Sequence, residues 1–404
     1  MKDSLSEAVG LLGPGSLQEE TLERYIFPLF SKALTRREIY LANHSLGRPL
    51  DQTAVDVAEA VELWQTKLDG AWEEWLAERE AFRSRIAKLI GAQRPDCVVP
   101  KTSAGQGLRT VLNALPGVPR VITTRGEFDS VDVILKQYAN RGRIQIRWVG
   151  PDQHGYFDTE RLIEEAQNGA DLFVISHVMF MTGQVIPGID ELAAFCHAKG
   201  GRLLLDAYHS VGVFPVNATA LQADFMIGGS YKYLRGGPGA CFLYISPETL
   251  ESGFAPLDTG WFAKRHPFSY ERPDPPQFAS GGDAFLESTP PVLSYYQARA
   301  GQKFTLEIGV SRLRDYNLDR LYRLKRYLTD AGIVSEGGDA DHGAFLTVRH
   351  AHAASFGAKL SSRGIQTDAR GKFLRLCPDC LTRDEELVEA AKAVALTLET
   401  ELHQ

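Results

Sequence analysis

Residues 170–208 read "ADLFVISHVMFMTGQVIPGIDELAAFCHAKGGRLLLDAY" and contain two short apolar runs separated by a helical pattern. The first run, "ADLFVISHV", and the last, "GRLLLDAY", are rich in the aliphatic residues that favour buried strands. Between them, "GIDELAAFCHAKG" has the apolar spacing of a helix. A strand, a crossover helix and a second strand predict a right-handed unit with two parallel strands.

The same alternation continues along the chain on both sides of this unit. Further strand candidates are "RVITTR", "RIQIRWVG" and "ADFMIGGS", and "DTERLIEEAQN" is a further helix candidate. This order predicts an α/β fold with a mostly parallel sheet that is covered by helices on both faces. Ligands of such sheets bind beyond the carboxyl ends of the strands, so functional residues are expected there.

Composition and charge restrict the class of protein. The chain has 404 residues, of which 44% are hydrophobic and 24% charged, so it is expected to be a soluble protein of more than one domain. A net charge of −7 argues against a nucleic-acid or membrane partner. We expect a cytoplasmic protein, because we find no signal-peptide pattern and no bilayer-length apolar run, and the five cysteines are an odd number.

Three segments are predicted. Residues 1–50 form an acidic, partly helical arm that joins the small domain, residues 51–290 a large domain, and residues 291–404 a smaller α/β domain. Helical patterns run from Thr53 to Ala92 and from Val292 to about Leu328.

Two residues that follow predicted strands carry most of the expected chemistry. Asp206 ends "GRLLLD", and Lys232 lies within "GGSYKYLRGGPG" (228–239). A buried aspartate needs a cationic partner, and burial favours a neutral lysine that can form a Schiff base. Pyridoxal phosphate needs both groups, a lysine for its aldehyde and an acid for its ring nitrogen. In "KTSAGQGLRTVLNAL" (101–115), the hydroxyls of Thr102 and Ser103 at a helix amino terminus suit its phosphate, although such residues are often only a helix cap.

Several motifs resemble the kynureninase branch of the class V, fold-type I pyridoxal-phosphate enzymes over most of the chain. They are "LLLDAYHSVG", "SYKYL" with "GPG", "IYLANHSLGRP", "SHVMFMTGQ", "TGWF", "STPPVL" and "GIQTDARGKFLRLCP". The resemblance implies a seven-stranded, mostly parallel sheet, a homodimer with active sites at its interface, and hydrolysis of a β-acyl alanine such as kynurenine to alanine and an acid. Transamination, Cβ lyase chemistry and a non-catalytic cofactor-binding paralogue are the alternatives.

The resemblance also implies roles for individual residues. Lys232 and Asp206 would be catalytic. Arg375 would hold the substrate's α-carboxylate through two parallel hydrogen bonds, and Asn43 and Ser45 would complete the substrate site. The cofactor-binding set would be Thr102, Ser103, Phe128, Ser176, Asp206, His209, Tyr231 and Lys232, together with Trp261 and Thr289 from the second subunit. No metal is predicted.

The chain also departs from the family pattern. "LDGAWEEWLAERE" (68–80) lacks the family's histidine, Lys264 stands in place of a second histidine, and Arg235 replaces an asparagine, so the substrate pocket is expected to differ. Asp129 and Asp132 are alternative candidates for the aspartate expected after Phe128. Cys377 and Cys380 form "CPDC" (377–380), which we interpret as structural thiols, because a single such pair is weak evidence for zinc.

Overall fold

The computed structural model describes residues 4–167 and 169–402. Its helices are α1 (Ser4–Leu11), α2 (Glu19–Tyr25), α3 (Gln52–Lys67), α4 (Trp72–Leu89), α5 (Ala104–Ala114), α6 (Asp129–Asn140), α7 (Thr159–Glu165), α8 (Ile189–Ala198), α9 (Pro247–Glu251), α10 (Val292–Ile308), α11 (Val310–Asp330), α12 (Ala353–Ser362) and α13 (Asp384–Leu402). Its strands are β1 (Ile39–Tyr40), β2 (Val98–Lys101), β3 (Arg120–Thr124), β4 (Gln145–Val149), β5 (Leu172–Ser176), β6 (Arg202–Asp206), β7 (Phe225–Gly229), β8 (Cys241–Ile245), β9 (Leu346–Arg349), β10 (Ile365–Gln366), β11 (Asp368–Arg370) and β12 (Phe373–Leu376).

A seven-stranded sheet with the order β2-β8-β7-β6-β5-β3-β4 forms the centre of the large domain. Within this sheet β8 runs antiparallel to its neighbours β2 and β7, and the other neighbouring strands are parallel. The predicted α/β fold with a mostly parallel seven-stranded sheet is therefore confirmed.

Helices cover both faces of this sheet, as expected. Along β5, Phe173 and Ile175 pack into one hydrophobic cluster with helices α4, α7 and α8, whereas Leu172 and Val174 pack into a second cluster with helices α5 and α6. This division follows from the two-residue period of a strand, whose successive side chains point to opposite faces. Strands buried on both faces therefore read as continuous apolar runs in the sequence.

The two long helical patterns are each interrupted. The first is divided into α3 and α4 at residues 68–71, where Leu68 has a φ of 51°. The second is divided into α10 and α11 at Gly309, which has a φ of 94°. A leucine with a positive φ is rare, so Leu68 does not itself signal the break, and the local signal in this turn is the Asp69-Gly70 pair.

The carboxyl-terminal part contains a separate antiparallel sheet, β11-β12-β9. Strand β1 of the amino-terminal arm pairs in parallel with β10, next to this sheet. Tyr295 and Ala298 of α10, just beyond residue 290, pack into a core cluster of the large sheet. Within the described ranges we find no helix with the length and hydropathy needed to cross a membrane.

Candidate active site

A cavity of about 340 Å³ lies at the carboxyl ends of β5, β6 and β7, the edge at which the fold places ligands. Eight residues singled out in the sequence line it: Thr102, Ser103, Phe128, Ser176, Asp206, His209, Tyr231 and Lys232. They come from loops that follow different strands, so the parallel sheet brings together residues far apart in the chain. A volume of this size is typical of a small-molecule site.

Lys232 lies in the turn after β7 and is almost completely buried. Its Nζ is 2.6 Å from Nε2 of His209 and 5.8 Å from the centre of the Phe128 ring. Burial lowers the pKa of Lys232, the charge of Asp206 opposes that shift, and the charge of Arg375 adds to it. The lysine is therefore held where a neutral, nucleophilic amine is accessible at ordinary pH.

His209 is arranged to accept a hydrogen bond from this lysine. Burial and the neighbouring charge of Lys232 hold the pKa of His209 well below its usual range, so the ring is neutral. Its Nδ1 is 3.2 Å from the hydroxyl of Tyr233. A neutral ring that donates from Nδ1 to Tyr233 leaves Nε2 as an acceptor facing Lys232.

Asp206 lies at the end of β6, is 5% exposed, and accepts a hydrogen bond of 3.0 Å from the backbone N–H of Tyr208. Burial raises the pKa of this carboxyl, whereas the Tyr208 amide and the charge of Lys232 lower it. A cationic ligand atom beside Asp206 would favour its ionised form further.

The amino terminus of α5 faces the cavity and is preorganised for an anion. Ser103 is the N-cap, and its Oγ accepts a 3.1 Å hydrogen bond from the backbone N–H of Gln106. The backbone N–H of Thr102 donates to the side-chain oxygen of Gln106 at 2.7 Å. Together, the helix dipole and the hydroxyls and amides of this turn favour a phosphate or carboxylate.

The stretch after Phe128 does not bring either candidate aspartate to the cavity. Asp129 is exposed, and Asp132 forms an exposed ion pair of 2.7 Å with Lys136. Ser130 lines the cavity instead. Ser130 lies in the first turn of α6.

The three residues expected to bind substrate lie behind the cavity wall. Arg375 is 3% exposed, donates from Nη1 to the carbonyl oxygen of Phe180, and donates from Nη2 to Asp368 at 2.5 Å. Ser45 donates to the same carboxylate. Asn43 donates to the carbonyl oxygen of Cys377 at 2.9 Å and lines a smaller cavity of about 40 Å³ that also reaches Lys232.

Arg375 keeps unused donor capacity in this arrangement. Its Nε has no hydrogen-bond partner among the described residues, although the atom is buried. Its guanidinium lies 5.9 Å from the ring of Phe180, which lines the cavity. The charge of Arg375 also contributes to the lowered pKa of Lys232.

Trp261 and Thr289 do not line the cavity of this chain. Trp261 donates from Nε1 to the hydroxyl of Thr289 at 3.3 Å and stacks on the exposed ring of Tyr270. The pair is thus held together on the surface, as a contribution to a second subunit's site would require. Lys264, next to this pair, forms a backbone bridge with Phe278.

The "CPDC" thiols are both buried and free. Cys377 Sγ is 3.1 Å from the carbonyl oxygen of Ala344, and Cys380 Sγ is 3.5 Å from Nη2 of Arg235. In the part of the chain that the structure describes, no three or more His, Cys, Asp or Glu side chains are grouped to hold a metal.

Several residues of this region had no motif of their own in the sequence. Glu127 is buried beside the cavity, and Tyr208, Ser130 and Cys241 line it. Three of these residues lie within two positions of a predicted site residue, either Phe128 or Asp206: they are Glu127, Ser130 and Tyr208. Their closeness in sequence to those residues is the signal that could have identified them. Their side-chain directions depend on the turn geometry after each strand, which composition does not reveal.

Comparisons with known proteins agree with this geometry. The aminotransferase class-V family profile matches residues 69–373. The uncharacterized aminotransferase YcbU of Bacillus subtilis is 27% identical over 80% of this chain and 85% of its own length. The kynureninase of Deinococcus radiodurans is 27% identical over 82% of each chain, and that of Pseudomonas fluorescens 28% identical over 84% of this chain and 83% of its own.

Solved structures share the fold. A C-DES mutant with glycine covalently linked to its PLP cofactor superposes with a TM-score of 0.82 at 20% identity, over 91% of this chain and 98% of that one. The profile match spans most of the sequence. The chain is therefore a kynureninase-like member of the aminotransferase class-V family.

Proposed function

We propose that this protein is a pyridoxal-phosphate enzyme that hydrolyses a β-acyl alanine, kynurenine or an analogue, to alanine and an acid. The observation that carries the proposal is the buried amine of Lys232, which shares one cavity with the Asp206 carboxylate and an anion-binding helix terminus. The kynureninases of two bacteria, at 27% and 28% identity, support the choice of reaction.

The groups around the cavity fit pyridoxal 5′-phosphate. Lys232 is an amine with a lowered pKa for the aldehyde, and Asp206 is a carboxylate for the ring nitrogen. Thr102, Ser103 and the α5 amides suit the phosphate, and the ring of Phe128 suits stacking on a pyridine. His209 and Tyr231 line the same cavity, and Ser176 reaches it from the end of β5.

The cofactor supplies an aldehyde that condenses with amines and a ring that accepts electrons. Asp206 would hold a proton on the ring nitrogen of the bound cofactor, which would keep the ring an electron acceptor. The Nζ of Lys232, oriented by Nε2 of His209, would act as the base that takes the substrate's α-proton. The aromatic rings around Nζ exclude water, which keeps the amine neutral until it reacts.

Arg375 orients the substrate through its α-carboxylate. The guanidinium is fixed by Asp368 and the Phe180 carbonyl, and it retains N–H donors that these partners do not use. Asn43 and Ser45 hold this part of the site in position through Cys377 and Asp368. A guanidinium that is held in position can bind a carboxylate through two hydrogen bonds, so it favours amino acids over amines that lack a carboxylate.

Transamination is the second candidate reaction. Two observations favour it: YcbU, named an aminotransferase, matches as well as the kynureninases do, and Lys264 replaces a histidine of the kynureninase pattern. Both reactions need the same early steps at Lys232 and Asp206, so they differ only after the α-proton has been removed.

Borohydride reduction of the holoprotein followed by peptide mapping tests the cofactor assignment. We expect the pyridoxyl group on the peptide that contains Lys232. Lys101, a second buried lysine whose pKa burial lowers, is the internal control and should remain unlabelled. Label on neither lysine would refute the assignment.

The reaction is tested separately with purified holoprotein and a panel of substrates. L-kynurenine should give anthranilate and alanine in equal amounts. If no β-acyl alanine is cleaved and a 2-oxo acid accumulates from another amino acid, the reaction is transamination and the hydrolase proposal is wrong.

A further inference from the structure

A buried chain of three hydroxyl and carboxyl groups ends in the cavity. Glu127 is 5% exposed, and its Oε1 and Oε2 each lie 2.6 Å from a hydroxyl oxygen, that of Thr124 and that of Ser176 respectively. Ser176 lines the cavity and pairs in register with Asp206 on the neighbouring strand. Glu127 itself is not among the residues that line the cavity.

The hydroxyl of Thr124 fixes the direction of one hydrogen bond. Its Oγ1 accepts a 3.2 Å hydrogen bond from the backbone N–H of Gly126. The hydroxyl of Thr124 donates its own proton to Oε1 of Glu127, which is the acceptor in this hydrogen bond. A neutral carboxyl has one proton, so in that form its O–H is at Oε2 and points at Ser176.

The protonation of Glu127 then decides what Ser176 presents to a ligand. When Glu127 is neutral, Oε2 donates to Ser176 and the serine keeps its own proton for the cavity. When Glu127 is ionised, Ser176 donates to Oε2 and turns only lone pairs toward the ligand. A lone pair repels an anionic ligand oxygen that a hydroxyl proton would attract.

We propose that Glu127 is a positioning residue, which as a neutral acid makes Ser176 a hydrogen-bond donor to an anionic oxygen of the bound cofactor. The inference rests on the proposed function, because pyridoxal phosphate carries a phenolic oxygen beside its aldehyde. It adds to that function a residue outside the cavity and a direction for one hydrogen bond within it.

The surroundings of Glu127 favour the neutral acid. Its hydrogen-bond partners are two hydroxyls and the backbone of Ser176, and the charge that acts on it is the negative one of Asp206. Burial raises the pKa of Glu127 to about 7 and Asp206 adds to the rise, while the hydrogen bonds from Ser176 and Thr124 oppose it. Ionising two neighbouring buried carboxyls costs more free energy than ionising one of them. Asp206 is the carboxylate that the protonated ring nitrogen of the cofactor would stabilise, so Glu127 is the one that stays neutral.

Infrared difference spectroscopy of the apoprotein tests the protonation without the cofactor. We expect a carbonyl band of a protonated carboxyl that disappears as the pH rises through about 7 and is absent from E127Q. S176A removes the acceptor of the acid's proton, so the same band should shift in frequency. If E127Q does not fold, the shift in S176A carries the assignment; a band unaffected by both changes would overturn the proposal.

Cofactor affinity tests the consequence for Ser176. E127Q keeps a donor toward Ser176 and an acceptor for Thr124 at every pH, so it imitates the neutral acid. We expect the ratio of the wild-type Kd to the E127Q Kd for pyridoxal phosphate to rise about tenfold between about pH 6 and about pH 9. The same ratio measured in the S176A background should not change with pH.

The outcomes separate this inference from the proposed function. If pyridoxal phosphate does not bind the wild-type protein, the proposed function fails, whereas the infrared band still tests the state of Glu127. If the cofactor binds and the Kd ratio is flat, or changes equally in the S176A background, Glu127 does not act through Ser176 and the inference is wrong.

Discussion

Arg235 shows how a single unusual residue is explained by its partners. It adopts a φ of 55°, which arginine seldom does, and it is almost completely buried. Its Nη2 donates to Asp379 at 2.7 Å, and its guanidinium lies 5.4 Å from the rings of both Phe30 and Phe304. Arg235 therefore joins the Lys232 turn to the amino-terminal arm, to α10 and to the carboxyl-terminal part.

Replacing Arg235 should destabilise the protein far more than replacing an exposed arginine. R235M leaves Asp379 buried with Arg48 as its remaining partner, so we expect a loss of about 2–3 kcal/mol in the free energy of unfolding. R36M breaks the exposed pair of Arg36 with Glu38 and should change it by less than about 1 kcal/mol. Urea denaturation of both variants measures the difference, and equal effects would contradict the structural role.

The pH dependence of stability provides the control for this interpretation. Burial alone raises the pKa of Asp379, but the charges of Arg48 and Arg235 hold it at about 2. A carboxyl with a lowered pKa stabilises the fold above its unfolded pKa of about 4, and this contribution is lost as the pH falls toward about 2. R235M should therefore show a smaller loss of stability between about pH 4 and pH 2 than the wild type.

Residue types and their positions after strands were enough to predict four side chains of the cavity, those of Thr102, Ser103, Asp206 and Lys232, because parallel strands gather their carboxyl ends. The other four predicted residues came from the family resemblance alone. The partner of Arg375 was not predictable in this way. Asp368 faces Arg375 because β11 and β12 are antiparallel neighbours in which these two residues pair. That register depends on a turn, which single residues do not encode.

At the scale of elements, the N-cap of α5 offers a matched comparison. S103A should cost about 1 kcal/mol of stability and also weaken cofactor binding about tenfold, because Ser103 both caps the helix and faces the cavity. S246A removes an equivalent serine cap from α9, outside this cavity. It should cost similar stability and leave cofactor affinity unchanged, as thermal unfolding and cofactor titration will show.

Strands that are buried on both faces were recognisable as apolar runs, and the helices between them by their period. The breaks within the helical patterns were not predicted, because the apolar spacing continues from α3 into α4 across the turn at 68–71, although that turn contains Gly70. Helices α3 and α4 both pack against α10, a contact between segments distant in sequence. Tertiary packing of this kind overrides local propensity.

A loop of the amino-terminal arm that contains Gly47 contacts the backbone of the turn that holds Lys232. The N–H of Gly47 donates to the carbonyl oxygen of Tyr231 at 2.8 Å, and a Cβ at Gly47 would overlap the carbonyl oxygen of Lys232. G47A should therefore displace Lys232 and lower kcat about a hundredfold.

A glycine with free space around it is the control for this prediction. A Cβ at Gly15 would meet no atom of the described residues within 4 Å beyond its chain neighbours, so G15A should behave as the wild type. Steady-state kinetics and the extent of pyridoxyl labelling at Lys232 report the displacement. Unchanged labelling and kcat in G47A would show that the arm does not position the turn.

At the scale of the whole molecule, the site is assembled from three distant parts of the chain. Asp206 at the end of β6 and Lys232 in the turn after β7 line the cavity, Gly47 of the arm packs against the carbonyl oxygen of Lys232, and Arg375 of the carboxyl-terminal part lies behind the cavity wall. Trp261 and Thr289 lie on the surface beside the exposed side chains of Phe268 and Tyr270, outside this chain's cavity. Exposed aromatic residues of this kind are typical of an interface, and we propose here the homodimer with shared active sites that the family resemblance implies.

Complementation between two inactive variants tests this shared site. K232A lacks the catalytic amine, and W261A lacks the residue that we propose a subunit lends to its partner. In a mixed dimer one site has Lys232 from the W261A subunit and Trp261 from the K232A subunit, so that site is intact. Random assortment should restore about one quarter of the wild-type activity, because half the dimers are mixed and each has one intact site of two.

The controls distinguish a shared site from a residue that acts within its own chain. Each variant alone should sediment as a dimer and show little activity. When the double variant K232A/W261A is mixed with wild type, the mixed dimers should have no intact site. Each site uses Lys232 of one subunit and Trp261 of the other, so the double variant disables one of these residues in both sites. Activity that fails to appear in the K232A and W261A mixture, although mixed dimers form, would mean that Trp261 serves its own subunit.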